Sequence, residues 1–174
     1  APFWELDAAQ GQELFARAVF THVLTSRHGV PLLRETGRGL VVEITDGDAP
    51  GYRGNLYYDL AKNAVSRLAY AMATELAGTA VTALAVTPGF LRSEAVLEHF
   101  GVTEDNWRDG AKQDRHFVAS ETPLYVGRAV AALAADPDIG AKAGRTWSSG
   151  ALAKEYGFTD ADGRQPDFDA YFDG

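Results

Sequence analysis

No cysteine occurs among the 174 residues. Disulfides, thiolate metal sites and cysteine nucleophiles are therefore excluded, and the composition fits a cytoplasmic protein. Grouped basic charge is missing as well. The 16 lysines and arginines stand singly among 24 aspartates and glutamates, for a formal net charge of −8. Neither nucleic acid nor an anionic membrane is expected as the main partner, since both demand clustered Lys and Arg. No apolar run has the length needed to span a bilayer. The opening Ala1-Pro2-Phe3-Trp4-Glu5 lacks the basic start and apolar centre of a signal peptide. What is present is ordinary globular composition, 46% apolar and 23% charged, enough for one domain over 1–174.

The apolar pattern alternates between helix and strand. Gln10 to Leu33 reads as a helix with Asp7 as N-cap, interrupted in its last turns by Gly29 and Pro31. Leu40 to Ile44 is a short β-branched run of the kind that forms a buried parallel strand, followed by a Gly/Asp/Pro-rich loop from Asp46 to Gly54. Tyr57 to Ala77 is a long helix of small and apolar residues. Thr79 to Val86 is a second strand, stopped by Pro88-Gly89. The segment from Phe90 to Glu121 is mixed and polar, with short helical stretches at best. Val126 to Ala135 is a helix led in by Pro123, and Arg145 to Ser148 a third strand. The tail from Leu152 to Gly174 is polar and aromatic, broken by Gly and Asp turns. Such alternation builds a parallel sheet covered by helices.

Chemistry concentrates at Tyr58 and Lys62, four residues apart near a helix start. At that spacing both project from one face. A free phenol, with a pKa of about 10, holds its proton too firmly for neutral-pH transfer. A neighbouring ammonium and the positive helix end both favour the phenolate, so Lys62 is expected to lower that value. The phenol then exchanges a proton with an alcohol or carbonyl oxygen. Alone the spacing is common. Here it follows a core strand and a loop, and the next strand ends in Pro88-Gly89, at the edge where open parallel sheets bind ligands.

From Gly39 through Glu94 the chain resembles the catalytic stretch of the short-chain dehydrogenase/reductase family. Three segments are similar to a divergent branch of it: Tyr52 to Tyr58 (YRGNLYY), Val86 to Glu94 (VTPGFLRSE) and Leu152 to Arg164 (LAKEYGFTDADGR). The resemblance implies an α/β, Rossmann-like, doubly wound parallel sheet. It implies NAD or NADP as cofactor, a small alcohol or carbonyl substrate, and a homo-oligomer. Tyr58 is then the acid/base, Lys62 its tuner and a ribose contact, and Thr45 the hydroxyl donor to the substrate oxygen. Pro88, Gly89 and Phe90 join Tyr58 and Lys62 at the cofactor, with Thr87 and Ser93 nearby.

Three features depart from the family pattern. The glycine-rich turn that lets backbone approach a pyrophosphate is absent, so the N-terminal nucleotide-binding half is expected to be largely missing. Thr45 and Asp46 stand where the catalytic serine belongs; an ionised Asp46 cannot donate, which favours Thr45. Ala18 stands near the place of a helix-kinking asparagine. His22, one turn on, either replaces it or is a packed histidine. Two further alternatives stay open. Phe90, Leu91, Val96, Leu97, Phe100 and Trp107 form a lid or a satellite apolar cluster, and Arg92 with Glu94 reads as a surface pair. His99 and His116 lack metal-motif spacing, so no metal site is expected. The competing reading is a non-catalytic relative that keeps the sheet without a working site.

Overall fold

The structure is a computed structural model that describes residues 1–47 and 51–173. Positions 48–50 of the expected loop and position 174 of the tail lie outside the described residues. The chain divides into two compact units, Ala1–Val86 with Asp136–Trp147, and Thr87–Ala135 with Ser148–Gly174.

The first unit opens on a helix in three parts: α1 (Ala8–Phe15), a π-helical turn (Ala16–Phe20) and α2 (Thr21–Glu35). The Asp7 carboxylate caps α1 by accepting from the Ala9 N–H at 2.9 Å. The interruption falls earlier than Gly29 and Pro31 predict, and Pro31 lies inside α2. Its cause is visible at Thr21. The Thr21 N–H donates to the Ala16 carbonyl, one residue further back than in an α-helix. The Arg17 carbonyl left over is taken by the Thr21 hydroxyl at 2.5 Å.

Strand β1 (Gly39–Ile44), helix α3 (Leu56–Glu75) and strand β2 (Val81–Thr87) follow, and β3 (Thr146–Ser148) completes a sheet of order β1-β2-β3. β1 and β2 run parallel, Gly39 facing Val81 and Ile44 facing Val86. Just before β3, Gly144 N–H donates to the Ala83 carbonyl at 2.8 Å, and Ala85 N–H to the Arg145 carbonyl at 2.9 Å. Every residue of β2 is buried, as expected of a central parallel strand with no charged position. Helix α3 turns Ala61, Val65 and Ala69 inward, a stripe of fours with side chains small enough for close packing. The first unit's core gathers Leu76, Val81 and Ala83 against Val30, Leu33 and Met72.

The second unit holds α4 (Glu94–Phe100), α5 (Pro123–Ala135), α6 (Ser149–Tyr156) and α7 (Phe168–Asp173). Between α4 and α5 the chain makes two 3-10 turns, Trp107–Lys112 and Arg115–Ala119. Phe100, Trp107 and Phe117 form the core there, with Phe90, Val96 and Leu97 packed on them. One sequence expectation needs correction. Arg92 is no surface residue: it is 2% exposed. Its guanidinium lies 4.1 Å from the Trp107 ring centroid, donates to the Ser120 carbonyl at 2.8 Å and pairs with Glu104. Stacking and full hydrogen bonding are what make a buried guanidinium tolerable. In the tail, Leu152 and Ala153 are fully buried. Its Asp160 carboxylate, also buried, accepts from the Thr122 N–H at 2.9 Å and from the Thr122 hydroxyl.

Among the described residues no helix is long and apolar enough to cross a membrane, and no three His, Asp or Glu side chains gather to hold a metal ion.

Candidate active site

Helix α3 begins at Asn55, whose side chain accepts from the Tyr58 N–H at 3.1 Å. This cap fixes the first turn and with it the direction of the Tyr58 side chain. Lys62 follows one turn later. Its Nζ stands 5.5 Å from the Tyr58 ring centroid, so the two share a face as their spacing predicts. Tyr58 is 37% exposed. Among the described residues no ion pair involves the Lys62 ammonium.

The phenol's hydrogen-bond partner is Asp46. Tyr58 Oη donates to Asp46 Oδ2 at 2.6 Å. The expected substrate-side donor, Thr45, is turned elsewhere: it is 2% exposed, and its hydroxyl donates to the Lys62 carbonyl at 2.8 Å. Ser66 Oγ lies 3.4 Å from that hydroxyl oxygen. The one hydrogen Thr45 has to give is thus spent on the backbone of the Lys62 turn. The phenol's acidity also runs against expectation. Partial burial first, then the hydrogen bond and the negative charge of Asp46, hold the Tyr58 pKa well above its ordinary value, while Arg53 works in the opposite direction. Burial, with a carboxylate touching the phenolic oxygen, outweighs the nearby positive charge.

Arg53 borders this loop and is held in place. Its Nη1 donates to Asp59 Oδ1 at 3.0 Å, and its backbone N–H reaches the same oxygen at 3.2 Å. A Cβ on Gly47, whose φ is +70°, would come within 2.7 Å of Arg53 Nη2. Glycine is what lets the arginine lie against the backbone beside Asp46. Buried Glu43, in β1, binds His22 Nδ1. His22 is therefore a partnered histidine that ties α2 to β1, and Ala18 falls within the π-helical turn.

In the second unit, the loop Pro88-Gly89-Phe90 is pinned from below by a glutamate. Glu121 Oε2 accepts from the Gly89 N–H at 2.9 Å and from the Ser149 hydroxyl at 2.6 Å. A Cβ on Gly89 would meet Phe168 Cβ at 2.7 Å, so any side chain there would force a neighbour to shift. Phe90 packs edge-on to Phe100 and Phe117, which makes the aromatic group a core rather than a lid. Thr87 donates to the Pro88 carbonyl at 3.2 Å, and Ser93 caps α4.

Glu121 is 1% exposed. Burial pushes its carboxyl up to about 7, and Asp160 adds to the rise; Ser149, the Gly89 N–H and Arg92 pull it back. The folded group binds its proton more tightly than the unfolded one, whose value is 4.5. Its contribution is therefore complete below about pH 4.5 and is lost as pH rises to about 7, a change on the order of 3 kcal/mol. Glu121→Gln should remove that decline. Urea titrations of both proteins across this range, compared as differences so that other carboxylates cancel, provide the check. Parallel curves for the two proteins would show that Glu121 does not titrate there.

Away from Tyr58, a groove of about 550 Å³ runs between α2 and the C-terminal half of α3, lined by Val23, Val30, Pro31, Leu68, Ala71 and Met72 among others.

Sequence comparison matches residues 1–100 to the short chain dehydrogenase family model. The human protein Dehydrogenase/reductase SDR family member 1 is 32% identical over 163 residues, which cover 93% of this chain and 52% of the relative. The chain thus spans about half the length of the curated relatives it matches. Among solved structures, ElxO with NADP bound aligns at a TM-score of 0.68 with 19% identity, covering 86% of this chain and 61% of that one. A putative NAD(P)-dependent gluconate 5-dehydrogenase from Beutenbergia cavernae, with NADP at low occupancy, aligns at 0.68 with 25% identity, covering 88% and 61%.

Proposed function

Because the chain belongs to the short-chain dehydrogenase family, we propose that it carries the Tyr–Lys half of an NAD- or NADP-dependent oxidoreductase. The substrate would be a small alcohol or the corresponding carbonyl compound. One observation carries this reading: an exposed phenol and an ammonium without a carboxylate partner among the described residues share one face at the start of α3. Three donors on Lys62 fit the hydroxyls of a ribose, so Lys62 would hold the cofactor's sugar. When bound, the nicotinamide supplies the hydride chemistry. Tyr58 moves the proton at the substrate oxygen, as general acid toward a carbonyl and as general base toward an alcohol. Thr45 serves the site indirectly, by bonding the backbone of the turn that presents Lys62. Pro88, Gly89 and Phe90 are assigned to the cofactor by family likeness. The Glu121 anchor and the close packing of Phe168 on Gly89 support a fixed backbone for that loop.

A second reading, a relative without catalytic function, is favoured by the Asp46 carboxylate at the phenol and by the engaged Thr45 hydroxyl. Cytoplasmic location and self-association, the latter through the apolar groove between α2 and α3, belong to the first reading. The deciding experiment offers the full-length protein NAD or NADP with a panel of small alcohols and carbonyl compounds. Absorbance of the reduced nicotinamide is followed, and dinucleotide binding is measured by calorimetry. Turnover with either cofactor supports the enzyme; a protein that binds neither dinucleotide is the second kind.

A further inference from the structure

The Tyr58 hydroxyl donates to a carboxylate where the usual partner of such a tyrosine is a neutral hydroxyl. An ionised carboxylate has no proton to give a substrate oxygen, and it opposes any anion formed beside it. It can accept a proton. We propose that Asp46 is the proton partner of Tyr58, taking the phenolic proton as the phenolic oxygen takes the proton of the substrate hydroxyl. This rests on the oxidoreductase reading above.

The step balances. In alcohol oxidation the substrate C–H bond breaks and its electron pair leaves as hydride to the oxidised dinucleotide. The substrate O–H bond breaks as Tyr58 Oη gains that proton, and the Tyr58 O–H bond breaks as Asp46 Oδ2 gains the other. The substrate carbon–oxygen bond becomes a carbonyl. The substrate is oxidised by two electrons, the dinucleotide is reduced by two, and the surplus proton ends on Asp46, which returns it to solvent. Carbonyl reduction runs the same transfers backwards. No phenolate stands free at any point, so the like-charge repulsion between phenolate and carboxylate never arises.

The surroundings fit a carboxylate that changes charge. Arg53, fixed by Asp59, lies against Gly47 next in the chain. Its positive charge works on the phenol against the rise caused by Asp46, and among the described residues no hydrogen bond joins it to the phenolic oxygen. Lys62 stands on the ring side of Tyr58. Asp46 is partly exposed, which gives the transferred proton a route to water. Thr45, one residue earlier, is locked onto α3 through the Lys62 carbonyl, and this aims Asp46 at the phenol.

The test pairs two readouts in full-length protein: the titration of the Tyr58 ring carbon by NMR, and the pH profile of kcat/KM for alcohol oxidation. Asp46→Asn and Asp46→Ser are compared with the parent, and Tyr58→Phe assigns the resonance. Removing the carboxylate should lower the phenol's titration by about 1–3 pH units. The rise of kcat/KM with pH should nevertheless move upward, because the base left is the phenolate itself. Opposite movements of the two curves are the expected result. If both move downward together, Asp46 is only an electrostatic neighbour and the proposal is overturned; an unmoved activity profile overturns it too. Asp46→Ser guards against an effect peculiar to the amide. Tyr58→Phe with undiminished activity would overturn the proposal by taking Tyr58 out of the proton path, whereas a parent protein that turns over no alcohol with either dinucleotide would instead remove the oxidoreductase reading, whatever Asp46 does.

Discussion

Tyr58→Phe is expected to lower kcat/KM for the full-length protein by two to four orders of magnitude, about 3–5 kcal/mol in transition-state stabilisation. Most of the loss should fall on kcat, because the hydroxyl acts on a proton in flight and the ring remains to shape the site. Dinucleotide affinity should change little, since the ribose contact is assigned to Lys62. Nor should the fold suffer. Tyr58 is partly exposed, and its backbone N–H keeps its cap from Asn55. The lost hydrogen bond to Asp46 leaves behind a carboxylate that water can reach, a cost of about 1 kcal/mol at most. Steady-state kinetics beside a urea melt separate the two effects. A variant within tenfold of the parent would mean that another group moves the proton. A variant that loses its dinucleotide would mean that Tyr58 binds rather than reacts. Lys62→Met gives the complementary pattern, with weaker dinucleotide binding alongside the lower rate.

The parts of this site that could be read from sequence are those set by local spacing. The Tyr58–Lys62 face follows from four residues on a helix, and β1 and β2 from short β-branched stretches between turns. Contacts that span a loop left no such mark. Asp46 meets Tyr58 across 12 positions and His22 meets Glu43 across 21; neither separation has a period to betray it. The spacing of Lys62 holds for an isolated helix, but burial of the phenol, followed by the carboxylate that the loop brings to its oxygen, raises the value instead. Arg92 misled for a different reason. Arginine is seldom buried, and only the later residues Glu104, Trp107 and Ser120, gathered by two 3-10 turns with little apolar periodicity, make its burial tolerable. The π-helical turn was hidden because its remedy, the Thr21 hydroxyl on the Arg17 carbonyl, looks in sequence like any exposed threonine. In the tail, frequent Gly and Asp obscured the burial of Leu152 and Ala153 on α6, a helix that packs against α5.

Phe117 is the position where substitution should cost most in stability. It is fully buried, stacks on Phe100 with centroids 4.4 Å apart, and meets Phe90 edge-on at 5.1 Å and Trp107 at 6.1 Å. Its ring also lies flat enough on Gly110 that a Cβ there would approach to 2.4 Å. Truncation to alanine removes the ring that the other three aromatics share, so neighbours held by separate elements have little freedom to close the void. Phe117→Ala should therefore destabilise by about 3–5 kcal/mol. Phe117→Leu, which keeps most of the volume, should cost less than half as much, and Gly110→Ala about 1–3 kcal/mol through overpacking. Urea midpoints with an unchanged slope would measure these differences. A loss under about 1 kcal/mol for the alanine variant would show that the aromatic group is not the second unit's core. The consequence reaches the Pro88-Gly89-Phe90 loop through one contact: Phe90 follows Gly89 in the chain and rests on Phe117. Removing that support should loosen the Pro88-Gly89-Phe90 loop, and hydrogen exchange at the Gly89 N–H, still held by Glu121, should quicken more than exchange within β2.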